Sequence, residues 1–192
     1  MARPTQRRAA PRSRQTLVAE PPELRLETER LVIRLSVPQD AEAFLAIHRD
    51  PDVNRWLGGV RPKSIDEELE RIALRVELQR ELGFSMWTVE EKDTHEIVGL
   101  SGLFPVERKG PDIEVAYHYR KDRWGRGYAT EAARACLDYG FSSAGLTRIV
   151  GLVVPENVAS ARVLEKCGMK LEGPARHYDL DLNRYAIERS PS

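Results

Sequence analysis

Apolar residues at Leu24, Leu26, Leu31, Ile33 and Leu35 are separated by charged ones. This alternation predicts a strand with one buried face over Leu24–Leu35. The period then changes. "VPQDAEAFLAIHRD" places Ala43, Phe44 and Ile47 at helical spacing behind Asp40, and "PDVNRWLGG" reads as a loop or one helical turn ended by Gly58 and Gly59. "SIDEELERIALRVELQRELG" is the strongest helix. Ser64 is its cap, Glu67 lies three residues on, Leu69, Ile72 and Val76 with Ala73 form its apolar stripe, and Gly83 ends it. Three strands follow in "FSMWTVEE", "EIVGLSGLFPV" and "DIEVAYHYR", joined by turns at "KDTHE" and "ERKGPD". "YATEAARACLDYGF" puts Ala129, Ala132, Ala133, Cys136 and Leu137 on one helical face. "LTRIVGLVV" is the unbroken apolar run of a strand buried on both faces. A helix from Asn157 to Gly168 and two strands around a turn near Asp181–Asn183 close the chain.

The order is strand, helices, three strands, helix, strand, helix, two strands. The unit running from Tyr117–Tyr119 through the helix into "LTRIVGLVV" is expected to be parallel and right-handed, and its neighbouring hairpins antiparallel. The fold class is therefore mixed α/β, with a mostly antiparallel sheet of about seven strands and helices on both faces. At 192 residues the length suits one domain, taken as residues 23–190.

Thirty basic residues balance thirty acidic ones, which argues against a general nucleic-acid binder. Two cysteines make no disulfide framework, the four histidines have no metal-ligand spacing, and no apolar run reaches the ~18 residues of a membrane span. A cytoplasmic protein with no metal is expected, as a monomer or homodimer. Residues 1–22 differ from the rest. Arg3, Arg7, Arg8, Arg12 and Arg14 precede the first acid, Glu20, so this segment is read as a disordered, solvated tail. A transit segment, or a tail that touches RNA, shares the same composition.

One stretch carries chemistry. In "RWGRGYATEA", Gly125 and Gly127 stand where a helix should begin. A helix start has about four unpaired N–H groups and a partial positive charge, and glycines there let a bulky anion approach. Thr130 occupies the place where a dinucleotide fingerprint requires glycine or alanine, and no Gly-Lys-Ser/Thr is present. Arg126 adds a cation and Thr130 a hydroxyl.

This segment resembles the pyrophosphate-binding loop of the GNAT superfamily of acyl-CoA N-acyltransferases. Its tryptophan, Trp124, matches the branch of ribosomal-protein N-terminal acetyltransferases (RimJ/RimL-like). "LETERLVIRL", "IEVAYHY" and "NVASARVLEKCGMKLEG" resemble further segments of that branch, in the same order, so the likeness spans about Leu24 to Arg189. It implies a GNAT-type fold with a splayed central strand pair, and acetyl-CoA as acyl donor. Backbone groups of Tyr117 and Tyr119 would bind the pantetheine. Trp124, Gly125, Arg126, Gly127, Tyr128, Ala129 and Thr130 would hold the pyrophosphate, and Asn157 would bond the pantetheine side. Glu114 would be the base that takes the amine's proton, and Ser160 would stabilise the departing sulfur, because Leu164 stands where many relatives have a tyrosine acid. Tyr185 and His177 are lesser candidates, and Trp56 and Trp87 candidate cleft residues, though Trp87 on an alternating strand also suits the core. Cys136, on the apolar face of its helix, is read as core, and Cys167, near a helix end, as semi-exposed.

The resemblance implies an amine acceptor, first a protein or peptide N-terminus. A small-molecule amine and a non-catalytic acyl-CoA-binding module are the alternatives. Asp179 and Asp181 are expected to draw a cationic acceptor.

Overall fold

The structure is a computed structural model that describes residues 24–57 and 62–189. The Arg-rich segment, residues 1–22, and the expected stop at Gly58 and Gly59 lie outside the described residues.

The first expected strand is two. β1 (Arg25–Glu27) turns back antiparallel onto β2 (Leu31–Arg34). Thr28 makes the turn, donating its N–H to Leu31 O at 3.0 Å and accepting from the Leu31 N–H at 3.0 Å on its hydroxyl. Leu26 and Leu31 are five residues apart, so the alternation breaks phase there. α1 (Ala41–Arg49), the short α2 (Pro51–Asn54) and α3 (Ile65–Leu82) follow. β3 (Met86–Glu91), β4 (Ile97–Pro105) and β5 (Ile113–Tyr119) form an antiparallel meander. α4 (Tyr128–Ser142), β6 (Arg148–Val153), α5 (Val158–Lys166), β7 (Lys170–His177) and β8 (Leu180–Glu188) complete the order. The sheet has eight strands in the order β1-β2-β3-β4-β5-β6-β8-β7, and β5–β6 is its one parallel neighbour pair among the described residues.

Adjacent residues of a strand point to opposite faces, and β4 shows what covers each. The Ser101 hydroxyl meets Cys136 Sγ of α4 at 3.4 Å, while Leu100 packs with Phe44, Ile47 and Ile72 of α1 and α3. α4 and α5 cover the larger core, with Trp87, Val115, Tyr119, Ala132, Cys136 and Leu164 inside it. Burial pushes the Cys136 thiol up to about 12, so it is a packing residue. Trp87 is core too, its indole N–H donating to Gln79 Oε1 at 2.8 Å.

Two expectations are corrected. The buried face of α3 is Glu68, Ile72, Arg75 and Gln79, whereas Ala73 is exposed and Leu69 and Val76 are half-buried. The helix turns a largely polar stripe inward because those side chains have partners beneath it. The final turn is Tyr178–Asp179, with φ of 55° and 59°, ahead of Asp181–Asn183. Asp181 continues the strand, opposite Arg176 and paired with it at 2.9 Å.

Among the described residues, no helix is long and apolar enough to cross a membrane. Gly102 sits where β4 crosses the start of β3, and a Cβ there would lie 2.1 Å from Ser85 O. Backbone cannot yield cheaply, so Gly102→Ala is expected to lower stability by about 2 kcal/mol or more, read by urea denaturation. An unchanged midpoint would contradict this packing.

Candidate active site

β5 keeps seven register partners with β4 but only one with β6, Glu114 opposite Val150. Beyond that bridge the strands part. The Arg120 N–H donates to Val98 O of the neighbouring strand at 2.9 Å. Hydrogen-bonded residues alternate along an antiparallel ladder, so Tyr117 and Tyr119 turn their backbone groups away from β4, toward the gap. One of these groups is committed: the Tyr119 carbonyl accepts from Trp124 Nε1 at 3.0 Å. Trp124, 41% exposed, thus ties the glycine loop to the end of β5.

Past a tight turn at Lys121–Arg123, Gly125 and Gly127 adopt φ of 74° and 84°, a region that residues with a Cβ enter at a cost. The first α4 hydrogen bond with these residues runs from the Glu131 N–H to Gly127 O, at 3.1 Å. The N–H groups of Tyr128, Ala129 and Thr130 therefore lie in the unpaired first turn. Gly125, Arg126 and Gly127 are exposed around them. Tyr128 contributes backbone only, since its side chain is buried and its hydroxyl donates to Glu91 Oε1.

The loop is clamped by residues that sequence reasoning missed. The Arg30 guanidinium pairs with Glu131 at 2.6 Å and donates to Arg126 O at 2.9 Å. The Thr28 hydroxyl and Arg30 N–H both reach Glu131 Oε1, at 2.6 and 2.8 Å. Glu131 stands inside the quoted "RWGRGYATEA", but its partner lies about a hundred residues away.

Across the gap, Asn157 caps α5, its Oδ1 accepting from the Ser160 N–H at 3.1 Å. Ser160 meets a group expected only for its backbone: the Tyr117 hydroxyl lies 3.1 Å from Ser160 Oγ and donates to Ser160 O at 3.0 Å. Burial raises the Tyr117 phenol above its ordinary range, so it stays protonated at neutral pH. Leu164 is core.

Glu114 lies at the foot of the gap, 4% exposed, on the opposite face of β5 from Tyr117. Burial raises its carboxyl to about 7, against the lowering effect of a hydrogen bond from the Tyr178 hydroxyl. Tyr178, from the β7–β8 turn, is held by Glu107, whose Oε1 accepts the Tyr178 N–H and whose own N–H donates to the Tyr178 oxygen, both at 2.9 Å. Nothing local in sequence links Tyr178 to Glu114.

The acetyltransferase (GNAT) domain profile matches residues 30–170. The chain is 34% identical to the uncharacterised N-acetyltransferase YoaA of Bacillus subtilis, over 84% of this chain and 95% of that one. A GNAT-family acetyltransferase from Bacillus anthracis superposes with a TM-score of 0.71 at 26% identity, over 86% of this chain and 98% of the other. A ribosomal-protein alanine acetyltransferase from Vibrio fischeri shares the fold, with a TM-score of 0.70 at 23% identity and 86% and 96% coverage.

The chain belongs to the GNAT acetyltransferase family. It is an acetyl-CoA-dependent N-acyltransferase.

The remaining candidates of this acetyltransferase fall outside the gap or beside it. Tyr185 is buried in β8, opposite Gly151 and Leu171. His177 faces Glu107 at 3.8 Å. Trp56 stacks on Arg55, and Cys167 contacts Thr130 O at 3.7 Å. No group of three or more His, Cys, Asp or Glu among the described residues is placed to hold a metal. A polar chain absent from the sequence reading lies on the Glu114 face of β5. His118 Nε2 is 2.8 Å from His48 Nε2, and His48 Nδ1 bonds Glu68.

The clamp makes a prediction. Glu131→Ala removes four hydrogen bonds to Thr28 and Arg30 and frees the glycine loop. Acetyl-CoA affinity is expected to fall about tenfold, on the order of 1.4 kcal/mol, by calorimetric titration. Unchanged affinity would mean that the loop holds its shape without the clamp.

Proposed function

We propose that the protein transfers the acetyl group of acetyl-CoA to a primary amine, with a protein or peptide N-terminus as the acceptor. The observation that carries the amine chemistry is Glu114, a buried carboxyl raised to about 7 at the foot of the splayed strands. An amine must lose its proton to attack a thioester, and a base with a pKa near the working pH is effective at taking it. Support for a polypeptide acceptor comes from the likeness in fold to the Vibrio fischeri ribosomal-protein alanine acetyltransferase and from the segments at Leu26–Leu35 and Trp124–Ala132.

In this reading the N–H groups at the start of α4 hold the pyrophosphate. The gap-facing backbone of Tyr117 and Tyr119 pairs with the pantetheine as an added strand would. The acceptor nitrogen attacks the thioester carbon, the C–N bond forms, and Glu114 takes the proton, directly or through water. The C–S bond then breaks. The Ser160 hydroxyl, positioned by its contact with the Tyr117 hydroxyl, donates a hydrogen bond to the sulfur, and CoA leaves as the thiolate, which takes its proton from solvent. Tyr117 is a positioning residue for Ser160, and no tyrosine acid stands at position 164, which is Leu164.

Two outcomes follow. For acetylation of a peptide N-terminus, kcat is expected to rise with pH through about 7. Glu114→Gln is expected to lower kcat about 10²-fold and remove that rise, and Tyr178→Phe, which deletes the bond favouring the ionised form, to move the rise to higher pH. A kcat retained in Glu114→Gln would exclude Glu114 as the base. Stability carries the same signature. The folded pKa of Glu114 exceeds its ordinary 4.5, so the stability it contributes is full below ~4.5 and lost as pH rises through about 7. At pH 8 Glu114→Gln is expected to be more stable than the parent by up to ~3 kcal/mol, and at pH 4 not. Equal melting shifts at both pH values would contradict the raised pKa.

A further inference from the structure

The polar buried face of α3 has a use that the acetyl-CoA side does not supply. Arg75 has a side chain only 10% exposed, yet its Nη1 has no hydrogen-bond partner among the described residues. Its Nη2 approaches Glu68 Oε2 no closer than 4.0 Å, and its guanidinium lies over the Phe44 ring at 4.9 Å. One helical turn earlier, on the same face, Arg71 is half-buried with an unpartnered Nε. Two guanidinium groups thus face one carboxylate, whose Oε1 is taken by His48 and whose buried Oε2 makes no hydrogen bond.

No nearby acid makes up the deficit. Asp40 uses both oxygens on Arg34, at 2.9 and 3.0 Å, and Glu67 Oε2 accepts the Lys63 N–H at 2.8 Å. Arg108 adds a third positive charge whose field reaches both Arg71 and Arg75. Several guanidinium groups facing one buried carboxylate leave an excess of positive charge, which is costly to bury and which an anion from outside would balance. Its position is on the acceptor side. Glu68 bonds His48, and His48 Nε2 lies 2.8 Å from His118 Nε2, so the guanidinium pair is linked to the face of β5 that His118 shares with Glu114. Of the two acids expected to draw a cationic acceptor, Asp181 pairs with Arg176 at 2.9 Å on the surface.

We infer that Arg71 and Arg75 form an anion-binding subsite of the acceptor cleft, which selects amines that also carry a carboxylate or phosphate. This rests on the reading of the protein as an amine acetyltransferase. A planar guanidinium pair suits such an anion through paired N–H donors. The amine then lies toward Glu114 and the anionic group toward α3.

The test is thiol release from acetyl-CoA with matched acceptors: a peptide beginning Ser-Glu against one beginning Ser-Gln, and serine against serinamide. The first pair reads an acidic side chain, the second a free carboxylate. In at least one pair the anionic member is expected to have about tenfold higher kcat/KM, through KM. Arg71→Gln is expected to bring that ratio to about one, and Arg71→Lys to restore part of it. Equal rates within both pairs, or a ratio that survives Arg71→Gln, overturns the subsite. Arg71 is chosen because its half-exposed side chain is tolerant of change, whereas Arg75→Gln risks misfolding. Silence with every amine would instead sink the acetyl-transfer reading. Inorganic phosphate, titrated at constant ionic strength with CoA saturating, then reads the subsite alone. A rise in Tm that Arg71→Gln abolishes supports it, and no difference between the two proteins overturns it.

Discussion

β5 and β6 run parallel, meet once at Glu114–Val150, and part. An open strand edge presents unpaired N–H and C=O groups, so the parting offers a template for an extended chain. Everything that the active site does depends on that one interruption of the ladder. The helix that bridges the two strands begins at the mouth of the gap, so its unpaired N–H groups face the same side as the free edge. Donors for a phosphate and a docking edge for an extended chain are brought together by connectivity alone, without a dedicated charged pocket.

The two faces of β5 divide the chemistry. Tyr117 points toward α5, where Ser160 waits at hydrogen-bonding distance. Glu114 points the other way, toward Tyr178 of the terminal hairpin. Alternation along a strand places a phenol and a carboxyl on opposite faces of β5, so the two groups do not contact each other. Burial raises both, so the phenol keeps its proton and the carboxyl exchanges one near neutral pH. The first hairpin serves the site too, since Thr28 and Arg30 fix Glu131 and with it the loop.

The glycine loop, the Asn157 cap and the placement of Glu114 on a strand were legible in the sequence, because each rests on local backbone chemistry. The first expected strand is divided at Thr28, where a side-chain hydrogen bond reverses the chain within one apparently continuous alternation. The α3 stripe failed for a different reason. Periodicity counts apolar residues, and the buried stripe of this helix is Glu68, Ile72, Arg75 and Gln79, whose partners come from α1 and the sheet. Tyr178 was invisible because its link to Glu114 spans 64 residues. What could not be read locally is largely the acceptor side, which is built from long-range polar contacts.

Hydrogen exchange of single amides, followed by NMR with and without CoA, tests the central claim most directly. The account predicts that CoA strongly slows exchange at the gap-facing N–H groups of Tyr117 and Tyr119 and at Tyr128–Thr130, while His118, already paired with β4, changes little. Protection that appears elsewhere, with these amides unaltered, would mean that the parted strands are not where acetyl-CoA binds.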